Sequence, residues 1–433
     1  MARAKKEAAL TPEERLQAAL VPDWEWPYKL PENWCWLKLV ESFDNHTDSK
    51  KKIKQKDYLV KGKLAVVDQG QELIGGYTND VEKSYSGALP IVIFGDHTRC
   101  IKFVDFPFAQ GADGVKVLRP KPFYLPKAFY YALQSVNIPN LGYRRHFPLF
   151  NKFSIPLPPF AEQQRIVDRI ESLFAKLDEA KEKAQAVVDS FETRKAAILH
   201  KAFTGELTAK WRKEHGVGME SWEVRTLDSV CSSIFDGDHM PPPKAESGIP
   251  FLVISNVNTG HLTFENTRFV PQEYYDTLSD TRKPQLGDVL YTLVGSFGIP
   301  VVVNSKRPFC FQRHMALLRP IDVSPQFLWY ILQTPEMYDK ASSIATGTAQ
   351  LTVPIKGLRA MTIPRPNIAE QVEIVRILDG FFAREQSAKE AAEAVLDQIT
   401  LMKKSILARA FRGELGTNDP SEESAVELLK QII

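Results

Sequence analysis

Residues Ile155–Leu207 read IPLPPFAEQQRIVDRIESLFAKLDEAKEKAQAVVDSFETRKAAILHKAFTGEL, and residues Ile363–Leu415 read IPRPNIAEQVEIVRILDGFFAREQSAKEAAEAVLDQITLMKKSILARAFRGEL. The two align without a gap, Ile155 on Ile363, Phe203 on Phe411 and Gly205 on Gly413, and roughly half of the positions are identical. A gapless internal repeat of this length marks duplicated architecture. In the first copy apolar residues fall at Ile166, Ile170, Leu173, Leu177, Ala180, Ala184, Val187, Phe191 and Ile198, and only Arg194 interrupts the series. In the second they fall at Ile374, Leu378, Phe381, Ala388, Ala392, Val395, Ile399, Met402 and Ile406, interrupted only by Glu385. Alternating steps of four and three are the spacing of a coiled-coil seam. Each copy is therefore expected to form one long helix whose seam residues pair with the other copy.

The helix ends carry their own signals. Asn367 with Glu370 has the spacing of a capping box. Pro158 and Pro366 stand just before the helices, and Gly205 and Gly413 just after them, as proline and glycine do at helix starts and stops. A helix from Glu162 to Phe203 would be about 60 Å long at roughly 1.5 Å per residue. Two matching seams in one chain favour each other as partners over an unrelated homodimer or an ordinary buried helix. The pairing expected is antiparallel, because a head-to-tail repeat of domain plus helix then closes into a pseudo-two-fold arrangement.

Outside the repeats, residues 29–155 and 222–362 change style. Short β-rich runs such as ALPIVIFGD, CIKFVDFPFA, GIPFLVISNV and GDVLYTLVGSFGIPVVV alternate with glycine-rich turns, and each region closes on a helical piece, PKAFYYALQSV or FLWYILQTPEMYDKAS. The expected class is α+β, with globular domains at 29–155 and 222–362, long helices at 156–207 and 363–415, and a linker at 208–221. A helical segment at 1–28 and a tail at 416–433 complete the chain. The domains share little sequence beyond their openings, where Trp34, Trp36 and Leu39 match Trp222, Val224 and Leu227 in spacing. Thr11 with Glu14, and Ser424 with Glu427, start short terminal helices by the capping-box spacing. Three placements are open for these pieces: beside each other, beside the junction near Lys210–Gly216, or independent.

With 433 residues the chain is long enough for about three domains. Its 44% hydrophobic and 25% charged residues are ordinary for a soluble globular protein. A formal charge of +2 excludes no partner. No run approaches the ~18 apolar residues of a membrane span, and the N-terminus does not read as a signal peptide; the compartment expected is the cytoplasm. Cys35, Cys100, Cys231 and Cys310 are scattered, which favours reduced core thiols over disulfides.

A search for catalytic chemistry finds no phosphate loop, no GxGxxG after a strand, no HExxH and no Cys/His set at zinc spacing. GDH occurs at Gly95–His97 and Gly237–His239, and turns explain it better than an acid–base or metal site does. Gly111–Gly114, GADG, reads as a turn as well. No catalytic residue and no metal ligand is nominated.

Binding signals are richer. Lys50, Lys51, Lys52, Lys54, Lys56, Lys61 and Lys63 crowd one stretch. Such a cluster neutralises phosphates and supplies affinity without sequence information, the bland reading being a solvated basic loop. Tyr77, Thr78 and Asn79, His97, Thr98 and Arg99, and Tyr143, Arg144, Arg145 and His146 mix base-reading side chains with glycines in the first domain. The second domain offers Asn256, Asn258, Ser296, Lys306, Arg307, Arg313, His314, Thr346, Thr348 and Gln350. Arginine pairs with guanine edges and asparagine with adenine, although any one of these residues is more often a turn or surface residue than a base contact.

The motifs IPLPPFAEQQRIV with AFTGEL, and IPRPNIAEQVEIV with AFRGEL, resemble the specificity subunit of type I restriction–modification systems. So do PIVIFGDHTR, FAQGADGVKVL and NLGYRRHF in the first domain and GDVLYT with GSFG in the second. The resemblance covers essentially the whole chain. It implies a bacterial or archaeal, non-catalytic DNA-binding subunit in which each domain reads half of a bipartite, asymmetric duplex target while the paired helices set the spacing. It implies two methyltransferase subunits bringing S-adenosylmethionine, and two restriction subunits using ATP and Mg2+, with no cofactor in this chain. Near-neutral charge departs from a lone DNA binder and suggests that partners share the phosphate contacts. The competing classes are a coiled-coil adaptor whose end domains bind proteins, which leaves the basic clusters unexplained, and a single-chain nuclease, for which no site is recognisable.

Overall fold

The structure, a computed structural model, describes residues 11–237 and 242–432. Asp238 and His239 of the second GDH lie outside them. The chain divides into two compact units, one of residues up to Ala184 together with those from Ala394 onward, the other Gln185–Glu393. The boundary falls inside both long helices, so each unit owns one globular domain and one segment of each helix.

In the first unit the strands are β1 (Cys35–Lys38), β2 (Phe43–Asn45), β3 (Leu64–Val67), β4 (Gly76–Thr78), β5 (Ile91–Gly95), β6 (Ile101–Val104), β7 (Phe108–Gln110), β8 (Val115–Pro120) and β9 (Ser154–Leu157). They form three sheets, ordered β1-β9, β2-β8-β5-β6 and β4-β3-β7. In the second unit the strands are β10 (Glu223–Thr226), β11 (Cys231–Asp236), β12 (Ile249–Leu252), β13 (Arg268–Val270), β14 (Val289–Thr292), β15 (Pro300–Val302), β16 (Cys310–Phe311), β17 (Met315–Pro320) and β18 (Thr362–Arg365). Their sheets run β10-β18, β11-β17-β14-β15 and β13-β12-β16. Strand for strand the order is the same, down to a parallel pair in each domain, β3 with β7 and β12 with β16. The sequences looked unlike beyond their openings, but the folds are alike. A shared signal was present: Leu118-Arg119-Pro120 and Leu318-Arg319-Pro320 end equivalent strands, and the helices Pro126–Ser135 and Pro325–Leu332 follow them.

The second long helix is unbroken from Ile368 to Ala410. The first is not the single helix expected: it runs Phe160–Asp189 and resumes at Phe191–Phe203. At the break Ser190 Oγ donates to the Ala186 carbonyl, and Arg194 donates through Nη2 to Val187 O at 3.2 Å and through Nη1 to Ser190 Oγ. Side-chain donors thus crowd the carbonyls of this turn, where Ala186 O still accepts from Ser190 N at 3.1 Å. Arg194 also reaches Glu385, Nη2 to Oε2 at 2.6 Å, so the two residues that interrupt the two apolar series are each other's partners.

Pairing is antiparallel within each unit. In the second, Phe191 lies under the Lys389 ammonium, Arg194 meets Glu385, and Leu199 and Ala202 share a core with Leu378 and Ile374. In the first, Arg165 contacts Thr417 and Glu422, while Phe174 and Asp178 both meet Lys403. The seam itself needs correction. Val395 and Met402 are 40% and 50% exposed, whereas Ile374, Glu385, Leu396 and Leu407, and their repeat equivalents Ile166, Leu177, Val188 and Leu199, are buried or half-buried. Those positions are eleven apart, about 3.67 residues per turn, and a strict 3.5 repeat drifts by roughly 20° per heptad even on an ideal straight helix. Of the other seam residues Ala388 is exposed, while Ile170, Leu173, Ala180, Ala184, Val187, Phe191, Ile198, Leu378, Phe381, Ala392, Ile399 and Ile406 are buried or half-buried.

Each long helix is clipped at its start by a buried Glu-Gln pair. Trp34 Nε1 donates to Glu162 Oε2 at 2.7 Å, and Trp222 Nε1 to Glu370 Oε2 at 3.0 Å. Gln163 accepts from Leu125 N and donates to Pro158 O; Gln371 accepts from Ser324 N and donates to Pro366 O. Asn367 Oδ1 caps Glu370 N at 2.9 Å, but Glu370 does not return the bond, because its carboxylate is spent on Trp222, Thr208 and Arg212. Thr11 and Glu14 do form the reciprocal box. The terminal helices Pro12–Ala19 and Ala425–Lys430 pack on each other, and Ala425 N donates to Asn33 O. Cys35, Cys231 and Cys310 are buried and Cys100 half-buried, no disulfide forms among the described residues, and burial pushes the Cys35 and Cys231 thiols up to about 12.

Candidate nucleic-acid interface

In the first domain the nominated residues gather in two groups. The lysine stretch crosses one face: Ile53 N donates to Gln110 O at the β7 edge, and Leu59 bridges to Tyr77 at the β4 edge. Lys50, Lys54 and Asn79 are exposed, and Lys51, Lys52 and Tyr77 half-buried. Thr78 is buried and its Oγ1 accepts from Asp80 N. It holds the turn and is not free to touch a base.

The second group surrounds the β5–β6 turn. Asp96 Oδ1 accepts from the backbone N–H groups of His146 and Phe147, at 2.8 and 2.7 Å. His146 is fully buried; its Nε2 accepts from Leu141 N at 3.1 Å, so the proton on Nδ1 faces Asp96 O at 2.9 Å. His146 therefore positions loop 139–146 and makes no base contact itself. On that loop Tyr143 is 85% exposed and stacks on the His97 ring at 4.8 Å, beside exposed Arg144 and Arg145. Thr98 Oγ1 donates to Gln69 O at 2.6 Å, and Arg99 Nη1 to Ile138 O at 2.9 Å. Below them Lys102 is buried 3.5 Å from Asp68, and burial pulls its ammonium below the ordinary lysine value.

The second domain repeats the arrangement with other residues. Loop 346–352 is closed by the bridge of Thr346 to Thr352 and tied to the β14–β15 turn by the bridge of Thr352 to Val294, and Gly295 N donates to Leu351 O at 3.0 Å. Ser296, Thr346, Thr348 and Gln350 are thereby brought together, all exposed, and Leu293 N donating to His314 O adds His314 and exposed Arg313. Burial and the neighbouring Arg313 charge push the His314 imidazole below its ordinary value. Asn258, Lys306 and Arg307 belong to a separate, exposed region, where Arg307 lies 5.0 Å over the Phe264 ring. Asn256 does not qualify: it is 3% exposed, accepts from Val253 N and donates to Glu265 O, a turn-closing role.

In both domains, then, the loop that follows the domain's helical pieces is fastened to the turn between equivalent strands and carries exposed polar residues. Sequence patterns match this architecture. The model of the type I restriction modification DNA specificity domain matches residues 31–188 and again 219–396. The chain belongs to the type I restriction–modification DNA specificity family. It is 28% identical over 305 residues to the EcoKI specificity subunit of Escherichia coli K12, an alignment covering 65% of this chain and 64% of that protein. To the MjaVIII specificity subunit of Methanocaldococcus jannaschii it is 25% identical over 285 residues, 62% of this chain and 63% of that protein. The chain thus spans just under two thirds of the length of these relatives. Among solved structures it is similar to a chain from a study of assembly and conformational transition of the type I R–M system, with TM-score 0.65 and 21% identity over 90% of this chain and 100% of that one. It is also similar to the HsdS subunit of Thermoanaerobacter tengcongensis, with TM-score 0.55 and 21% identity over 90% of this chain and 99% of that one. These share the fold: two mixed α/β domains and a long helix pair. Among the described residues no helix is long and apolar enough to cross a membrane, and no group of three or more His, Cys, Asp or Glu is placed to hold a metal ion.

Proposed function

We propose that this chain is the non-catalytic sequence-reading subunit of a type I restriction–modification complex, each globular domain taking one half of a bipartite, asymmetric duplex target. The observation that carries it is the identical strand order of the two domains beneath different loop residues. A common frame presents Tyr143, Arg144 and Arg145 in one domain and Ser296, Arg313 and Gln350 in the other, so two unlike half-sites are read by one architecture. The helix segments act as the spacer between half-sites and as the docking platform for two methyltransferase subunits, which supply the S-adenosylmethionine chemistry. Two restriction subunits then add ATP- and Mg2+-dependent steps in the cytoplasm.

The domain boundaries 29–155 and 222–362 are proposed as the exchangeable modules. Exchanging 29–155 for another first domain and selecting bound duplexes from a random pool is the test. One half-site changes and the other stays; loss or alteration of both contradicts independent reading. Lengthening a loop between domain and helix changes the spacing alone.

A further inference from the structure

Beside the lysine stretch of the first domain lies a cleft of 450 Å³, lined by residues 45–48, Lys51, Lys83, Tyr85–Gly87 and Gln110. Its lysines and its buried amide present donors. Gln110 is 4% exposed, and its amide is oriented by Asp48 N, which donates to Oε1 at 3.2 Å. That leaves the Nε2 donor buried with no acceptor, a costly state for a group that nothing else in the fold answers. Lys51 Nζ donates to Ser84 O at 3.1 Å and Lys83 Nζ to Lys50 O at 2.7 Å. Neutral carbonyls therefore steady both ammonium groups, and neither has a carboxylate partner among the described residues.

Tyr85 Oη is 3.1 Å from His46 Nδ1. In either tautomer the pair keeps one donor outside that bond, His46 Nε2–H or the Tyr85 hydroxyl. The Asp48 carboxylate also lines the cleft, but its Oδ1 already accepts from Lys50 N at 2.8 Å.

We propose that this cleft binds a phosphate group. An amide N–H, two ammonium groups and the spare donor of the Tyr85–His46 pair around one space match an anion with several acceptor oxygens. The volume exceeds one phosphate, so the cleft also has room for a body that carries it. A backbone phosphate of duplex DNA is one source, which rests on the DNA-reading function above; a free nucleotide or inorganic phosphate is the other.

The experiment uses the full chain with Lys51→Gln, Lys83→Gln, both together, and Gln110→Leu. The surface lysine variants keep the test valid if Gln110→Leu misfolds. Affinity for random-sequence duplex is measured across salt concentrations, and thermal melting is measured with inorganic phosphate or AMP against chloride at equal ionic strength. If the phosphate is DNA's, the double lysine variant loses about 0.9 from the slope of log K against log salt, the value of one phosphate contact. If it is free phosphate, the slope is unchanged, while phosphate or AMP raises the melting temperature of the wild type and not of the variants. An unchanged slope with no phosphate-specific stabilisation overturns the proposal. A wild type that binds no duplex contradicts the DNA-reading function instead, and the melting arm still decides the cleft.

Discussion

The two helix starts are the same device closed by different pieces of chain. At Glu370 the closing piece is the linker that follows the first long helix: Thr208 Oγ1 and Arg212 Nη1 each reach Oε1 at 2.6 Å, and Arg212 is 8% exposed. At Glu162 it is the tail that follows the second long helix: Thr417 Oγ1 and Asn418 Nδ2 donate at 3.0 and 2.8 Å, and both are neutral. The first unit has its ion pair one turn on, where Arg165 grips Glu422 of the tail through two 2.8 Å bonds, its side chain 39% exposed. Trp, Glu and Gln are held in common, and the answering arginine is buried in one clip and near solvent in the other. The duplication thus kept the hydrogen-bond geometry at the helix and let the answering segment vary.

That difference sets the order of mutational effects. Removing one member of a buried ion pair leaves an uncompensated charge, which costs about 3–5 kcal/mol. Glu370→Gln is therefore expected to be the most damaging change, read as lost hydrogen-exchange protection across 205–222 and a lower denaturation midpoint. Glu162→Gln, whose partners are neutral, should cost about 1–3 kcal/mol, with protection lost at 416–422; equal effects would break the comparison. Smaller again is the seam pair, with side chains 34% and 19% exposed. Arg194→Met or Glu385→Met alone should destabilise the second unit by about 1 kcal/mol, and the double variant should recover most of it, since well-packed apolar replacements of a paired charge are often neutral.

The smallest effect concerns pH. Register places His314 of the second domain where the first has Gly114, each immediately before equivalent strands β17 and β8. The folded His314 binds a proton less readily than the unfolded one. The unfolded state therefore takes up protons first, and stability falls as pH drops below about 6.5. His314→Gln should flatten that fall slightly, as followed by melting temperature between pH 7.5 and 5.5.

Much of this was legible in the chain. The duplicated helices and the terminal capping pairs follow from spacing, because helical periodicity is a local property, and the antiparallel partnership follows from the head-to-tail order of the repeat. The break at Ser190 was not legible: a serine and an arginine four apart are ordinary on a helix, and only the position of Glu385 turns Arg194 inward. The common domain topology was hidden because short strands tolerate wide substitution on both faces, leaving Leu-Arg-Pro and a Tyr near the helix as the trace. Those tyrosines, Tyr131 and Tyr330, donate to Glu171 and Asp379, which are equivalent in the repeat. Of the site, composition found the exposed loops, but it could not separate Asn256 and His146, consumed inside turns, from neighbours of the same type that face solvent.

The tail's place at Glu162 has a consequence for the order in which the chain completes itself. As it emerges during synthesis, every residue of the second unit is present before Ala394. The first unit begins earlier and finishes later, since Leu407, Phe411, Thr417 and Leu429 complete its core and its clip. Until they arrive, Trp34, Ile166 and Ile170 lack part of their cover, and the domain made first is the one that waits longest for its final shape.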